Sequence, residues 1–316
     1  MTQQTLIEVT RLSRYYGSTR AIHEISFEVK RGEVLGLLGP NGAGKSTTMQ
    51  ILTGNLAPSA GAVRINGIDI LDEPKRAKQA IGYLPEQPPV YRELTVDEYL
   101  RYCGRLHGLS GQRLASALQR AKQRCGLSEV GHRLIGNLSK GYQQRTGIAQ
   151  AILHGPDVVV LDEPTVGLDP IQIREIRNLI KSLGEEHSVI LSTHILPEVQ
   201  SICGRVQIIS QGELVLNDSI EGLQQRMHTS SLTLGLSRTP ELAQLRAVDG
   251  VQQVEALGEN RFRVHYQPDN NPAERLAELA VGRGWGLHEL APERKTLEDV
   301  FVDLTATEPS VEVNAA

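Results

Sequence analysis

The sequence predicts an α/β fold built on a largely parallel sheet, followed by a small α+β domain. Three observations predict it. A glycine-rich loop, Gly39-Pro40-Asn41-Gly42-Ala43-Gly44-Lys45-Ser46-Thr47, lies between a short apolar run ending at Leu38 and a helical pattern from Ser46 to Leu52. Val158-Val159-Val160-Leu161 is an uninterrupted apolar run, the mark of a strand buried on both faces of a parallel sheet. Residues 228–306 alternate in the order βαββαβ, that of a ferredoxin-like sheet with helices on one face.

The chain has 316 residues, enough for two domains. With 40% hydrophobic and 22% charged residues it has a globular composition, and a net charge of −4 gives no basic footprint for nucleic acid. No apolar run approaches the length of a membrane-spanning helix. Met1-Thr2-Gln3-Gln4-Thr5 lacks the basic and apolar segments of a secretory signal. Cys103, Cys125 and Cys203 are scattered without metal-ligand spacing, which suits a reducing compartment. The expected location is the cytoplasm.

Taken in order, Leu6 to Val9 and Ile25 to Val29 alternate as strands around a turn near Gly17-Ser18. Tyr15 and Tyr16 lie between them; on a strand only one can face a given side, and a structural role for the pair is the simpler reading at this point. After the glycine-rich loop and its helix, Ala62 to Ile70 reads as a hairpin around Asn66-Gly67. Ile81 to Pro85 is a short strand, and Glu86-Gln87-Pro88-Pro89 is too proline-rich to be regular. Val96, Tyr99, Leu100 and Cys103 have helical spacing, continued by Leu114, Leu118 and Ala121 after a break at Gly108 to Gly111. Residues 95–155 are thus expected as a helical insertion, whose last helix opens at Leu138-Ser139-Lys140-Gly141-Tyr142 and continues from Gln143. A core over 1–227, an accessory domain over 228–306 with a terminal helix at Thr296 to Leu304, and a disordered tail over 307–316 complete the expectation.

The chemistry starts at residues 39–47, which match G-x-x-x-x-G-K-[ST]. Strand, glycine turn and helix start form an anion cradle of converging backbone N–H groups, aided by the helix dipole. Gly39, Gly42 and Gly44 let the backbone close on a phosphate, Lys45 adds a point charge, and the Ser46 hydroxyl is placed for Mg²⁺. The 158–161 run ends in Asp162-Glu163-Pro164, and ligands of parallel sheets sit at the carboxyl ends of strands. That places Asp162 to hold Mg²⁺ and Glu163 to orient and deprotonate an attacking water. His194 ends the next strand, one βαβ unit later, so it emerges on the same edge and can reach a γ-phosphate. Ser139 at a helix start is weak by itself, since most such serines are simple N-caps.

These motifs occur together in one order, and residues 6–225 resemble the ATP-binding subunit of an ABC transporter. In that resemblance residues 39–47 are the P-loop, Leu138-Ser139-Lys140-Gly141-Tyr142-Gln143 the signature motif, Val158 to Asp162 the Walker B strand, Gly167-Leu168-Asp169 the D-loop and His194 the switch histidine. The resemblance implies a P-loop NTPase core with an antiparallel β subdomain and a helical insertion, Glu163 and His194 as catalytic residues, and Tyr16 as the adenine-stacking aromatic. Two positions depart from the common pattern. Lys140 and Tyr142 replace Gly and Gln in the signature, and Glu86 occupies the Q-loop position with Gln87 next, leaving open which of the two meets the metal. Both departures, and Thr296 to Phe301, resemble the ABC-2-type exporter subgroup.

The resemblance further implies ATP and Mg²⁺ as ligands and head-to-tail pairing with a second copy, each ATP lying between one P-loop and the other signature. It implies an integral membrane permease as partner, contacted near residues 86–105, no nucleic-acid partner, and a peripheral position on the cytoplasmic face of the inner membrane. The rival reading is a soluble ABC-type ATPase acting on the ribosome or DNA. Translation-type members usually carry two cores, and repair-type members insert a long coiled coil for which the interval from Lys45 to Ser139 leaves no room. A non-hydrolysing scaffold fits poorly with Glu163 and His194 both in place.

Overall fold

The computed structural model of the chain describes residues 4–226, 228–294 and 299. The expected terminal helix and the tail lie outside the described residues, apart from the single position 299. The chain divides into two compact units, Met1–Ile220 and Glu221–Ala316; the sequence placed that division at 227/228.

The first unit opens with β1 (Thr5–Tyr16), β2 (Thr19–Lys30), β3 (Val34–Leu38) and α1 (Lys45–Leu52). It continues with β4 (Ala60–Ile65), β5 (Ile68–Asp69), α2 (Pro74–Gln79) and β6 (Ile81–Leu84). The insertion carries α3 (Val96–Leu106), α4 (Gly111–Arg124) and α5 (Lys140–Ile152). The sheet then resumes through β7 (Val158–Asp162), α6 (Pro170–Leu183), β8 (Ser188–Thr193), α7 (Leu196–Ile202), β9 (Arg205–Ser210) and β10 (Glu213–Ser219). Two sheets result. One is antiparallel, in the order β2-β1-β4-β5; the other runs β10-β9-β3-β8-β7-β6, parallel except for β10.

Their facing sides are apolar, and the core lies between them with α1. Leu6, Ile7, Val9, Ile22 and Val29 of the antiparallel sheet join Leu35, Leu37, Val158, Val160 and Ile190 of the parallel one, around Met49, Ile51 and Leu52. This is why Val158 to Leu161 reads as an unbroken apolar run: every residue of β7, and of β8 beside it, is buried. The far side of β3 is approached closely by α7. A Cβ on Gly36 would stand 2.9 Å from Val199 Cγ1 and 3.0 Å from Cys203 Sγ. The register matters most for function. Leu38 pairs with Thr193 and Asp162 with Ser192, so the carboxyl ends of β3, β7 and β8 finish level on one edge.

Two short helices, α2 and α7, were not read from the sequence. Each carries a proline in its first turn, Pro74 at the first position of α2 and Pro197 at the second of α7, whose fixed φ is preorganised for a helix start although it reads as a break.

The helix α8 (Ile220–Arg226) is followed in the second unit by β11 (His228–Leu236), α9 (Leu242–Arg246), β12 (Val251–Gly258), β13 (Arg261–Tyr266), α10 (Ala273–Gly282) and β14 (Leu287–Arg294). All pairings are antiparallel, in the order β12-β13-β11-β14, which is the ferredoxin-like arrangement. Leu232, Leu234, Val254, Phe262 and Val264 pack against Leu245 of α9 and Leu276 and Ala280 of α10 on one face. The last strand begins only after Trp285. Gly284 and Gly286 flank Trp285 with φ of 65° and 69°, so extended backbone begins only at Leu287.

Candidate active site

Residues 39–47 leave β3 and enter α1 in a turn that backbone alone can fill. A Cβ on Gly39 would stand 2.3 Å from the Ile209 carbonyl oxygen, and one on Gly44, at φ 108°, 2.6 Å from that of Ala21. Any side chain at either place would push the loop off β9 or β2. The first N–H groups of α1 have no carbonyl within the helix to bond and point into the turn. The Lys45 side chain is buried, and its ammonium donates to the carbonyl oxygens of Gly39 at 2.9 Å and Pro40 at 3.2 Å.

The level strand ends bring the acidic residues to this loop. Lys45 Nζ stands 3.7 Å from Glu163 Oε1, and His194 Nδ1 stands 3.0 Å from both Glu163 oxygens. With its proton on Nδ1 the ring donates to that carboxylate. Ser46 donates to Asp162 Oδ1 at 3.4 Å. A cavity of about 360 Å³ opens here, lined by Asn41, Gly42, Gly44, Lys45, Ser46, Thr47, Glu86, Glu163 and His194 together with Ala21 and Val166. It is walled by a lysine and a helix start on one side and by carboxylates and a histidine on the other. That arrangement suits an anionic ligand and a water held against it.

Two features of this edge went unread in the sequence. Glu163 adopts φ 47°, a left-handed conformation that is costly for a side chain of its size. Its N–H is held by Ser192, donating to the carbonyl oxygen at 3.2 Å and to the hydroxyl at 3.1 Å. The Ser192 hydroxyl also donates to Asp162 Oδ1. Ser192 therefore fixes both acids from the neighbouring strand. Its signal was present, as a polar residue closing the apolar run Val189-Ile190-Leu191 in register with Asp162. Beside them the Tyr83 phenol is pushed up to about 12, by burial first and by the Asp162 carboxylate second, so it stays protonated at this edge.

A hard divalent cation needs oxygen donors and keeps several waters, and Ser46 and Asp162 supply a hydroxyl and a carboxylate beside the cradle. The donor set fits Mg²⁺. Glu86 lines the cavity, whereas Gln87 is not among its lining residues.

The other expected site residues lie away from this cavity. Tyr16 ends β1 with its ring 47% exposed, and the Arg14 guanidinium sits 4.8 Å from the ring centroid. That occupies one face of the ring and leaves the other for stacking. Ser139 caps α5 by accepting from Tyr142 N at 3.5 Å, and Gln143 Nε2 donates to the carbonyl oxygens of Ile135 and Leu138, bracing the turn before the cap. The Tyr142 ring faces Arg145 at 5.7 Å. Lys140 extends to Gly167 of its own chain, where an added Cβ would stand 2.1 Å from its Nζ. Gly141 lies against Gln172, whose Cδ would be 2.8 Å from an added Cβ. Asp169 caps α6, accepting from Ile171 N at 3.0 Å and Gln172 N at 2.9 Å. The start of α5 thus rests on the start of α6, and neither lines the wall shared by Lys45 and Glu163.

Comparison with known proteins follows the same lines. A family profile described as ABC transporter matches residues 22–166. The chain is 32% identical to an uncharacterised ABC transporter ATP-binding protein, YxlF, of Bacillus subtilis (strain 168), over 94% of this chain and 98% of that protein. It is 33% identical to the bacitracin transport ATP-binding protein BcrA of Bacillus licheniformis, over 95% of this chain and 97% of that one. Among solved structures, a dimeric bacterial ABC transporter cassette superposes with a TM-score of 0.62 at 25% identity, covering 68% of this chain and 99% of the cassette.

Proposed function

The chain belongs to the ATP-binding proteins of ABC transporters, and on that premise we propose that it hydrolyses Mg·ATP to drive ABC-2-type export through a membrane permease. The observation that carries the reading is the placing of Glu163 between Lys45 and His194 at the mouth of the glycine-rich turn. The β- and γ-phosphates lie along residues 39–47 and take N–H groups of the α1 start. Lys45 exchanges the Gly39 and Pro40 carbonyls for phosphate oxygens. Ser46 and Asp162 would hold Mg²⁺, which when bound would neutralise charge on the phosphate oxygens. Glu163 orients a water in line with the γ-phosphorus and takes its proton, while His194 steadies the γ-phosphate. The oxygen–phosphorus bond to the β-phosphate breaks, giving ADP and phosphate. Tyr16 offers its free face to the adenine.

The second half of each site comes from a second copy. The Ser139 cap and the α5 start form another anion-binding helix end, held by its own α6 and away from its own Lys45. Paired head to tail, two copies each close the other's cradle. The permease is met by residues 86–105, where Tyr91 and Tyr102 stand exposed and edge to face with ring centroids 5.8 Å apart. No helix among the described residues is long and apolar enough to cross a membrane; the proposed position, which follows from the permease partner, is peripheral, on the cytoplasmic face. The name of the bacitracin transport relative supports transport as the role, and export as its direction rests on the resemblance to the ABC-2-type subgroup.

A pull-down from detergent-solubilised membranes tests this. An integral membrane permease is expected to co-purify with the chain. Recovery of ribosomes with no such partner would reverse the reading. For the metal, Glu86→Gln is expected to raise the half-saturating Mg²⁺ for hydrolysis about tenfold, equivalent to ~1.4 kcal/mol, and Gln87→Ala to leave it unchanged. An unaltered Mg²⁺ profile in Glu86→Gln would remove Glu86 from the site.

A further inference from the structure

Glu198, on α7, is a carboxylate with no exposure to solvent, and hydrolysis as described makes no use of it. Isolating such a charge from water costs several kcal/mol unless its partners are good ones, and an apolar residue of similar volume would be cheaper. Its partners are specific. Glu198 Oε2 accepts from the Thr193 hydroxyl at 2.9 Å. That same hydroxyl accepts from the Ile195 N–H at 3.0 Å. The two bonds fasten the chain immediately before and after His194. Glu198 Oε1 accepts from Arg177 Nη2 at 3.3 Å, and Arg177 belongs to α6, the helix that Asp169 caps. One buried carboxylate therefore joins the D-loop helix to both flanks of the histidine that faces Glu163.

We propose that Glu198 is a positioning residue that sets His194 for hydrolysis and, through Arg177, ties that setting to the helix carrying the D-loop. It acts through Thr193 and does not line the cavity between Lys45 and Glu163. In the proposed dimer the α5 start meets the second copy's ATP, and the α5 start rests on the α6 start. Closure against that copy bears on α6, and the Arg177–Glu198 pair carries the load to the switch histidine. This inference rests on the assignment of His194 to the γ-phosphate.

The test is a set of mutant cycles on the purified full chain, reading KM and kcat for ATP. Glu198→Gln keeps an oxygen for the Thr193 hydroxyl and loses the charge that holds Arg177; Thr193→Val deletes the hydroxyl and leaves the Arg177 pair. Each is expected to lower kcat about tenfold, the loss of one charge-assisted or buried hydrogen bond, with KM within about twofold. Arg177→Met is expected to match Glu198→Gln. In a His194→Ala background the same changes should cost nothing further, because the group they position is gone. A purely structural role predicts the opposite, an undiminished loss in that background, and that result overturns the proposal. So does a Glu198→Gln enzyme with normal kcat. If His194→Ala alone retains full kcat, the histidine assignment is at fault and the proposal falls with it. If His194→Ala is impaired and the Glu198 effect still multiplies with it, the assignment stands and only the proposal fails.

Discussion

Replacing Glu163 by glutamine is expected to reduce ATP hydrolysis by about 10²–10⁴-fold, the usual cost of losing a general base, while ATP still binds. Glutamine is close to isosteric, so the left-handed backbone at this position and its N–H bonds to Ser192 should persist. An amide oxygen can still accept from His194. What is lost is the proton acceptor for the attacking water. The negative charge 3.7 Å from Lys45 is lost as well. A γ-phosphate brought to that lysine no longer meets a second anion, so ATP affinity should hold or improve. With binding intact and cleavage blocked, the ATP-bridged pair has no route to loosen, and size-exclusion chromatography with ATP should show a dimer. A monomer under those conditions, with hydrolysis near normal, would remove Glu163 from the role of base.

Lys45→Ala should act one step earlier, on binding. Hydrogen bonds to charged groups contribute about 1.5–3 kcal/mol, so ATP affinity is expected to fall by roughly 10–100-fold, with hydrolysis falling alongside it. The ammonium is buried against the Gly39 and Pro40 carbonyls, and alanine leaves those two acceptors without their donor. The loop that binds phosphate therefore loses a charge and also a brace. Equilibrium titration with ATP separates this variant from Glu163→Gln. Unchanged affinity in Lys45→Ala would contradict the cradle.

The parts of the site legible in the sequence were those written in local pattern. Residues 39–47 carry their chemistry in a contiguous string. Val158 to Leu161 announces a buried parallel strand because nothing polar interrupts it, and the acids that follow must then lie at its carboxyl end. The interval to His194 gives the return to the same edge. The βαββαβ order of the second unit fixed a sheet of four antiparallel strands, β12-β13-β11-β14. What escaped was whatever depends on a neighbour distant in sequence. Ser192 looks like an ordinary strand serine until its register with Asp162 is known. The φ of Glu163 has no sequence signature of its own. Glu198 carries no local signal of burial, and only α7 packing on β3, close enough to crowd Gly36, shows that it is enclosed. Lys140 departs from the common signature at a position where no local rule says that it will reach Gly167.

The level strand ends also bear on how the chain comes to fold. Lys45, Glu163 and His194 meet only because β3, β7 and β8 are paired in parallel, and β8, synthesised last, lies between the other two. Closing such long loops comes before any of these contacts can form. A nascent chain truncated before Ser188 has the glycine-rich loop in full, yet lacks the strand that pins Asp162 and Glu163 through Ser192. During synthesis, then, ATP has no complete site to stabilise until β8 has left the ribosome and inserted. Up to that moment the apolar flanks of β3 and β7 lie open to other chains, and from then on ligand binding can favour the folded unit by mass action.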